Sequence, residues 1–519
     1  MTFTIALRMA CVAFMATAIA ATATAAEQHN FIVLMPEAMQ SANVNEADTP
    51  ALARLREEGV FYSRSFSGFP YFTSESRERS PENHAAGLVA YSRDRYATLM
   101  LDEYPPTEES IEQALSRVTQ QNRPFILVYR LRALDALATE PAKSMASAHP
   151  GVEGVAGALL INTDRTLSIL ERKLQERGLF ATTNIVVVAE HGRSTVWKQS
   201  RTSYTGEMSF SGVPSGNLPP GFVAIDLIKA MLHEDGGLSL YDPGLNHETV
   251  HWWEGRYPTS GVAMIAVSRV RPQVTVVAHG GYDAIYMPET LDKRELARRG
   301  RFIVERLFLQ DYVSGVFVNE DRVGRVDGAL SLKHLGATAG VYEEQLPDIV
   351  VNFTSSLMRC GHPTICAASI ADTSVQEGQD MAEGFSRAET SSFMAARGPD
   401  FRESFSSRTP ASPADMMRTI EALVGLKANA DSKKEARELK ETLRGSERKP
   451  EPRVRTRVVS STKSENGDLV EVHLLSVDGL DYLEAAGAPG RSVGVPAREA
   501  PVDWHWEWPW KTFEISIKP

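Results

Sequence analysis

The stretch Asn184-Ile-Val-Val-Val-Ala-Glu-His-Gly-Arg193 constrains the fold more than any other segment. An unbroken apolar run from Ile185 to Ala189 has the composition of a strand buried on both faces, as parallel sheets covered by helices require. In such sheets functional side chains sit at the carboxyl ends of the strands, and this strand empties into Glu190 and His191. A carboxylate beside an imidazole at that place suits a metal site; on this segment alone it suits equally well a surface pair that closes a strand.

Upstream segments alternate strand and helix. Phe31-Ile-Val-Leu-Met35 reads as the first strand, and a helix opens at Thr49-Pro50 and runs through Leu52, Leu55 and Glu58 to Gly59. Proline at the first helical position and glycine past the end are the expected boundary signals. A helix from Glu108 to Val118 leads to a strand at Pro124–Tyr129, and a long helix with Leu167, Leu170 and Leu174 on one face closes at Gly178. Strands alternating with helices of this length imply βαβ units and a mostly parallel sheet sandwiched by helices, an α/β fold. Later segments continue the alternation: a helix near Ala224–Ala230, strands at Val262–Val267 and Val274–Ala278, a helix from Arg294 to Leu307, and a strand at Asp348–Phe353. Ser412-Pro-Ala-Asp415 has the form of a capping box and starts a helix that ends at Gly425. Residues 76–100, rich in Arg, Glu and Ser, read as an irregular surface stretch.

The two ends of the chain differ from this body. Residues 1–26 carry Arg8, an apolar run from Met9 to Ile19 and small residues ending at Ala26, the layout of a secretory signal too short and Ala-rich to span a membrane well. The expected location is therefore periplasmic or secreted, with no membrane-spanning segment. The main domain is expected over 27–426, a charged linker or solvated helix over 427–457, and a strand-rich, Trp-rich extension over 458–519. In that extension Leu469–Val477 can form a strand, and Trp504, Trp506, Trp508 and Trp510 recur at period two, all on one side if the segment is extended. This stripe reads as a strand docking on its own domain rather than a sugar or peptide platform, with Pro509 keeping it at an edge. A net charge of −11 argues against general nucleic-acid binding. Cys11 leaves with the signal, and the remaining Cys360 and Cys366 lie close in sequence, which in an oxidising compartment favours a local disulfide over a metal or redox site.

Three parallel strand ends would bring Pro36-Glu37, Asp135 and Glu190-His191 to one edge, with the hydroxyl-rich turn Phe69-Pro-Tyr-Phe-Thr-Ser-Glu75 alongside. Two carboxylates, an imidazole and a hydroxyl form a ligand set for one divalent ion, Zn or Mn by chemistry, with Thr73 as the hydroxyl that the ion would ionise into a nucleophile.

The order strand-PEAM, FPYFT, LRALDALATE, NIVVVAEHG and GFSRAETSSFMAARGPDF resembles the alkaline phosphatase superfamily, nearest its type I phosphodiesterase/nucleotide pyrophosphatase group and a secreted bacterial branch of it. The resemblance implies the fold of that family, hydrolysis of a small phosphate ester or nucleotide, and a first metal site formed by Glu37, Thr73, Glu190 and His191, with Zn as the ion. The family has Asp where this chain has Glu37 and Glu190. In its second metal site Asp135 is matched, but Thr139 stands where His is expected, and the His of the GFSR motif is replaced near Ala382-Glu383. The short interval between Thr73 and Asp135 implies a reduced cap. These departures imply either a weakened single-metal phosphoesterase or an inactive pseudophosphatase that binds or supports. Arg193 or Arg397 could substitute as a phosphate-binding cation, although each also fits an ordinary surface arginine.

A remote alternative comes from His247-Glu-Thr-Val-His251, which spells the H-E-x-x-H zinc-peptidase pattern. That chemistry needs both histidines on one helix face, and the segment has barely two turns before Gly255.

Overall fold

A computed structural model describes residues 28–70, 80–103, 105–132, 154–232, 237–336, 345–358, 367–426 and 436–498. The first sheet contains β1 (Asn30–Pro36), β2 (Val60–Tyr62), β3 (Ala97–Asp102), β4 (Phe125–Leu131), β5 (Thr183–Val188), β18 (Met394–Arg397) and β19 (Phe405–Ser407), in the order β19-β2-β18-β5-β1-β4-β3. Its centre, β3-β4-β1-β5, is parallel throughout, with Phe31 opposite both Ile126 and Asn184. β18 runs antiparallel to β5.

Alternation along the central strands divides the core in two. Ile32, Leu34, Leu127, Tyr129, Ile185 and Val187 face the helices α1 (Pro50–Glu58), α3 (Glu108–Thr119) and α4 (Gly154–Glu176), where Leu52, Leu115, Leu167, Leu170 and Leu174 are buried. Phe31, Val33, Ile126, Val128, Val186 and Val188 face α2 (Pro81–Tyr91) and α8 (Pro413–Leu423) through Leu88, Met416 and Ile420. Each of these side chains contributes about 1.5–3 kcal/mol by leaving water, so the helices need little help from intrinsic propensity. The sequence signals hold locally. Thr49 and Gly59 bound α1, which has Pro50 at its first position, and Ser412 and Asp415 form the capping box of α8.

The stretch read as irregular between residues 76 and 100 is instead ordered from Ser80 onward. The Ser80 side chain accepts the Asn83 amide to start α2, and β3 extends the sheet edge. Its charge density concealed a buried stripe of Ala85, Leu88 and Val89.

The second sheet contains β7 (Ser239–Asp242), β8 (Glu248–Thr249), β9 (Val262–Ser268), β10 (Arg271–Ala278), β11 (Tyr282–Tyr286), β12 (Val313–Val318), β13 (Leu330–Ser331) and β14 (Ile349–Phe353), in the order β13-β12-β14-β11-β10-β9-β7-β8. Apart from the short parallel β12–β13 pair it is antiparallel, in contrast to the parallel centre of the first sheet. α5 (Phe222–Met231) and α6 (Lys293–Phe308) cover one face. The other face packs Phe317 and Val350 against a three-stranded sheet, β20 (Arg455–Ser460), β21 (Glu471–Val477) and β22 (Leu480–Gly487). A four-stranded ribbon of β15 (Ser355–Leu357), β16 (Ala367–Ile370), β6 (Ser194–Trp197) and β17 (Asp380–Met381) joins the two large sheets, and the single turn α7 (Arg387–Thr390) follows it.

Residues 436–446, within the stretch expected as a linker, are packed into the body. Leu439 is fully buried, and Arg437 is held by Glu441 at 2.7 Å and by the Tyr482 hydroxyl at 3.2 Å. Of its charges, Arg437 and Glu441 satisfy each other in the interior, whereas Lys440 and Arg444 stay exposed. Among the described residues no helix is long and apolar enough to cross a membrane.

Candidate functional site

β1, β4 and β5 end together. The Glu37 amide donates to Leu131 O at 3.1 Å and the Glu190 amide to Pro36 O at 3.2 Å, so the chain leaves all three strands in register. Ala38 and His191 continue the pairing as an isolated parallel bridge, and the Met39 amide donates to His191 O at 3.0 Å. Gly192 makes this exit possible. A Cβ there would lie 2.0 Å from Ala388 O and 2.3 Å from Ser391 O, so only glycine passes beneath α7.

Glu37, Glu190 and His191 line one cavity of about 390 Å³ at these strand ends. Burial pushes the Glu190 carboxyl up to about 8; the negative charge of Glu82 adds to this, Arg130 opposes it, and Glu37 adds a smaller rise. Burial likewise holds the His191 imidazole below its ordinary value, so the ring is neutral near pH 7. Its Nδ1 lies 2.9 Å from Gly192 O. A ring N–H spent on a backbone carbonyl leaves Nε2 as the lone-pair donor, the tautomer that metal-ligating histidines use. The donor types therefore fit a divalent ion. Among the described residues, however, no group of three or more His, Cys, Asp or Glu side chains is gathered closely enough to hold one by itself.

Thr73 and Asp135 lie outside the described residues, as do the replacement Thr139, the Cys360 and Cys366 pair, the signal segment and the Trp stripe. The two candidate phosphate-binding arginines are placed elsewhere. Arg193 is buried and pairs with Asp380 of β17 at 2.6 Å. Arg397 sits opposite Ile185, near the amino end of β5, where it pairs with Glu58 at 3.0 Å and Glu171 at 3.2 Å and lies over the Phe180 ring. Neither lines the cleft. Each found a carboxylate within local reach, which sequence spacing does not reveal.

Several cleft residues escaped the sequence reading. Arg132, just past β4, lines the cavity and pairs with Glu82 at 2.8 Å; Glu82 also binds Arg130. Glu82 was hidden in the charged stretch now seen as α2. His279 and Glu383 line the opposite wall, where His279 stacks on Tyr282 (4.7 Å between centroids) and Tyr282 on Phe385 (5.1 Å). Glu383 holds φ +79°, a left-handed conformation uncommon for a non-glycine residue. Glu389 is structural, accepting from Ser194 Oγ at 2.6 Å and Ser386 Oγ at 2.7 Å. The GFSR motif was visible as a similarity but carried no signal that it would face β1 and β5.

The H-E-x-x-H reading fails on backbone geometry. His247 has φ +56°, Glu248–Thr249 is a strand paired to β7, and His251 precedes a short 3-10 turn. The two histidines therefore lack the shared helical face that the motif requires.

No family model and no curated protein matches this sequence. Among solved structures, human ectonucleotide pyrophosphatase/phosphodiesterase 5 is similar at 11% identity and a TM-score of 0.47, covering 80% of this chain and 100% of its own. The murine protein of the same name, an inactive variant in complex with AMP, is similar at 12% identity and a TM-score of 0.46, covering 78% of this chain and 96% of its own.

Proposed function

We propose that the cleft is the site of a phosphoric ester hydrolase of reduced, single-metal type, acting on a small phosphate ester or nucleotide. The observation that carries this reading is the convergence of Glu37, Glu190 and His191 from two adjacent parallel strands on one cavity. Glu37, Glu190 and His191, with the hydroxyl of Thr73, would hold one divalent cation, Zn by the mixture of oxygen and nitrogen donors. Such an ion, when bound, supplies positive charge that favours an ionised hydroxyl and the negative charge that develops on a phosphoryl group. Thr73 is the nucleophile in this reading, and Asp135 is the surviving carboxylate of a second metal position that no longer closes. Arg132 replaces Arg193 and Arg397 as the cation for a phosphate oxygen, because it alone of the three lines the cleft. Export to the periplasm or beyond, by way of residues 1–26, completes the proposal.

One observation favours a second reading, a pseudophosphatase that binds without hydrolysing. The described side chains do not by themselves close on a metal ion, and a neutral Glu190 near pH 7 is a weaker ligand than a carboxylate. A phosphodiester hydrolysis assay separates the two. The hydrolase reading expects turnover that depends on added divalent metal and falls by on the order of a thousandfold or more in Thr73→Ala. Turnover absent at saturating metal leaves the binding reading standing, whereas turnover unaltered in Thr73→Ala removes Thr73 as the nucleophile.

A further inference from the structure

The cleft wall opposite Glu190 carries an imidazole to which the proposed function gives no role. His279 lies in the tight turn from β10 to β11 and lines the same cavity as Glu37, Glu190, His191 and Arg132. The backbone of that turn is pinned throughout. The His279 amide donates to Tyr282 O at 3.0 Å, and the Gly281 amide donates to His279 O at 3.1 Å. From outside the turn, the Asp372 amide donates to Gly280 O at 2.8 Å and the Phe353 amide to Gly281 O at 3.2 Å. Gly280 takes φ +77°, and a Cβ on Gly281 would lie 2.6 Å from Gly384 Cα, so the turn is pressed onto the loop that carries Glu383 and Phe385.

The ring is held as firmly as the backbone. It lies face to face on Tyr282 with 11° between the planes; Tyr282 stacks on Phe385, and Phe385 meets Phe317 edge-on at 5.9 Å between centroids. Tyr282, Phe385 and Phe317 are buried, so half-buried His279 is the cleft end of a column of rings rooted in the core. Stacking occupies the face of an imidazole, whereas its two nitrogens act in the plane of the ring. A side chain fixed in this way by its supports is what proton transfer to a bound group requires, and imidazole is the side chain best suited to it near neutral pH.

The proposed hydrolysis assigns groups to the cation, the nucleophile and a phosphate oxygen, and none to the leaving oxygen. We propose that His279 is the general acid for that oxygen, which fits the cleft to phosphate esters of ordinary alcohols as well as those of acidic phenols. The proposal rests on the hydrolase reading of the cleft. In the cleaving step an attacking hydroxyl forms a bond to phosphorus and releases its proton to solvent. The bond from phosphorus to the leaving oxygen breaks, its electron pair stays on that oxygen, and the imidazolium proton passes to it. The alcohol departs neutral, and His279 regains from solvent the proton that the nucleophile released.

Two phosphodiesters alike except in the leaving group, 4-nitrophenyl in one and benzyl in the other, test this in the full-length protein. His279→Phe keeps a ring on Tyr282 and removes the proton donor; His279→Gln removes both. In each variant kcat/KM for the benzyl ester should fall by about a hundredfold or more, and for the 4-nitrophenyl ester, whose leaving group needs no proton, by under about threefold. The fall of kcat/KM on the basic side of the benzyl-ester pH profile should disappear as well. The ratio between the two esters is read within one preparation, so a partly unfolded variant does not alter it. Equal slowing of both esters makes His279 a structural or phosphate-binding residue and overturns the proposal. Unaltered rates overturn it, as does a parent protein that cleaves the 4-nitrophenyl ester alone. A parent that cleaves neither ester removes the hydrolase reading itself, and this proposal with it.

Discussion

Two groups of carboxylates lie on either side of the Tyr282 strand, and the protein treats them in opposite ways. On the sealed side, Asp283 of β11 and Asp372 after β16 are fully buried and meet each other; burial and the neighbouring carboxyl push Asp283 well above the ordinary aspartate value. Lys198, also buried, answers them with its ammonium group and donates to Ala371 O at 3.1 Å. Lys198 is the cation whose charge opposes the rise in both carboxyls. On the open side, Glu190 is raised for the same reason, but among the described residues Arg130 is the cation that opposes the shift, and its guanidinium binds Glu82. The sealed group is balanced within the fold, and the open group is the one on which the proposed function draws.

That contrast can be broken, and the largest effect is expected on the sealed side. Lys198→Met leaves two buried carboxyls without their cation and should cost about 3 kcal/mol in urea unfolding, because the uncompensated charge is what remains. Ligand binding in the cleft should be unchanged in the fraction that stays folded. If the variant is as stable as the parent, the sealed group is not balanced by Lys198.

On the open side the order of effects reverses. Arg132→Ala should leave stability within about 0.5 kcal/mol, since its pair with Glu82 is half exposed, while the KM for a phosphate ester rises by about tenfold, the loss of one charge-assisted hydrogen bond. An unaltered KM would remove Arg132 from the cleft chemistry.

The smallest effect concerns pH. Asp283 has a raised folded value, so the folded state holds a proton that the unfolded chain releases, and its contribution to stability is lost as pH rises from about 4 toward that value. Asp283→Asn keeps an N–H donor toward Asp372 and cannot titrate. Its unfolding free energy, measured at steps between pH 4 and 8, should fall less steeply with pH than that of the parent. Parallel slopes would mean that Asp283 is ionised in the fold.

How much of this was legible depends on whether the determinant is local. Apolar runs and caps are local, so β1, β4 and β5 and the helices α1, α3 and α8 were readable, and the carboxyl-end rule then placed Glu37, Glu190 and His191 together. Partner choice is not local. Lys198, Asp283 and Asp372 meet across 174 positions, Arg193 turned to Asp380, and Arg397 turned to Glu171 at the far end of the sheet. Composition misled where charge coats a buried stripe, as in α2 and around Arg437. A motif spelled by chance misled at His247–His251, where the backbone is a strand.

Whether the open group binds a divalent cation is tested most directly by metal content. Purified protein dialysed against micromolar Zn²⁺ and analysed by mass spectrometry for metal should retain about one equivalent, with Glu190→Gln and His191→Ala retaining well below half of that. Equal retention in the parent and both variants, or none in the parent, contradicts that binding.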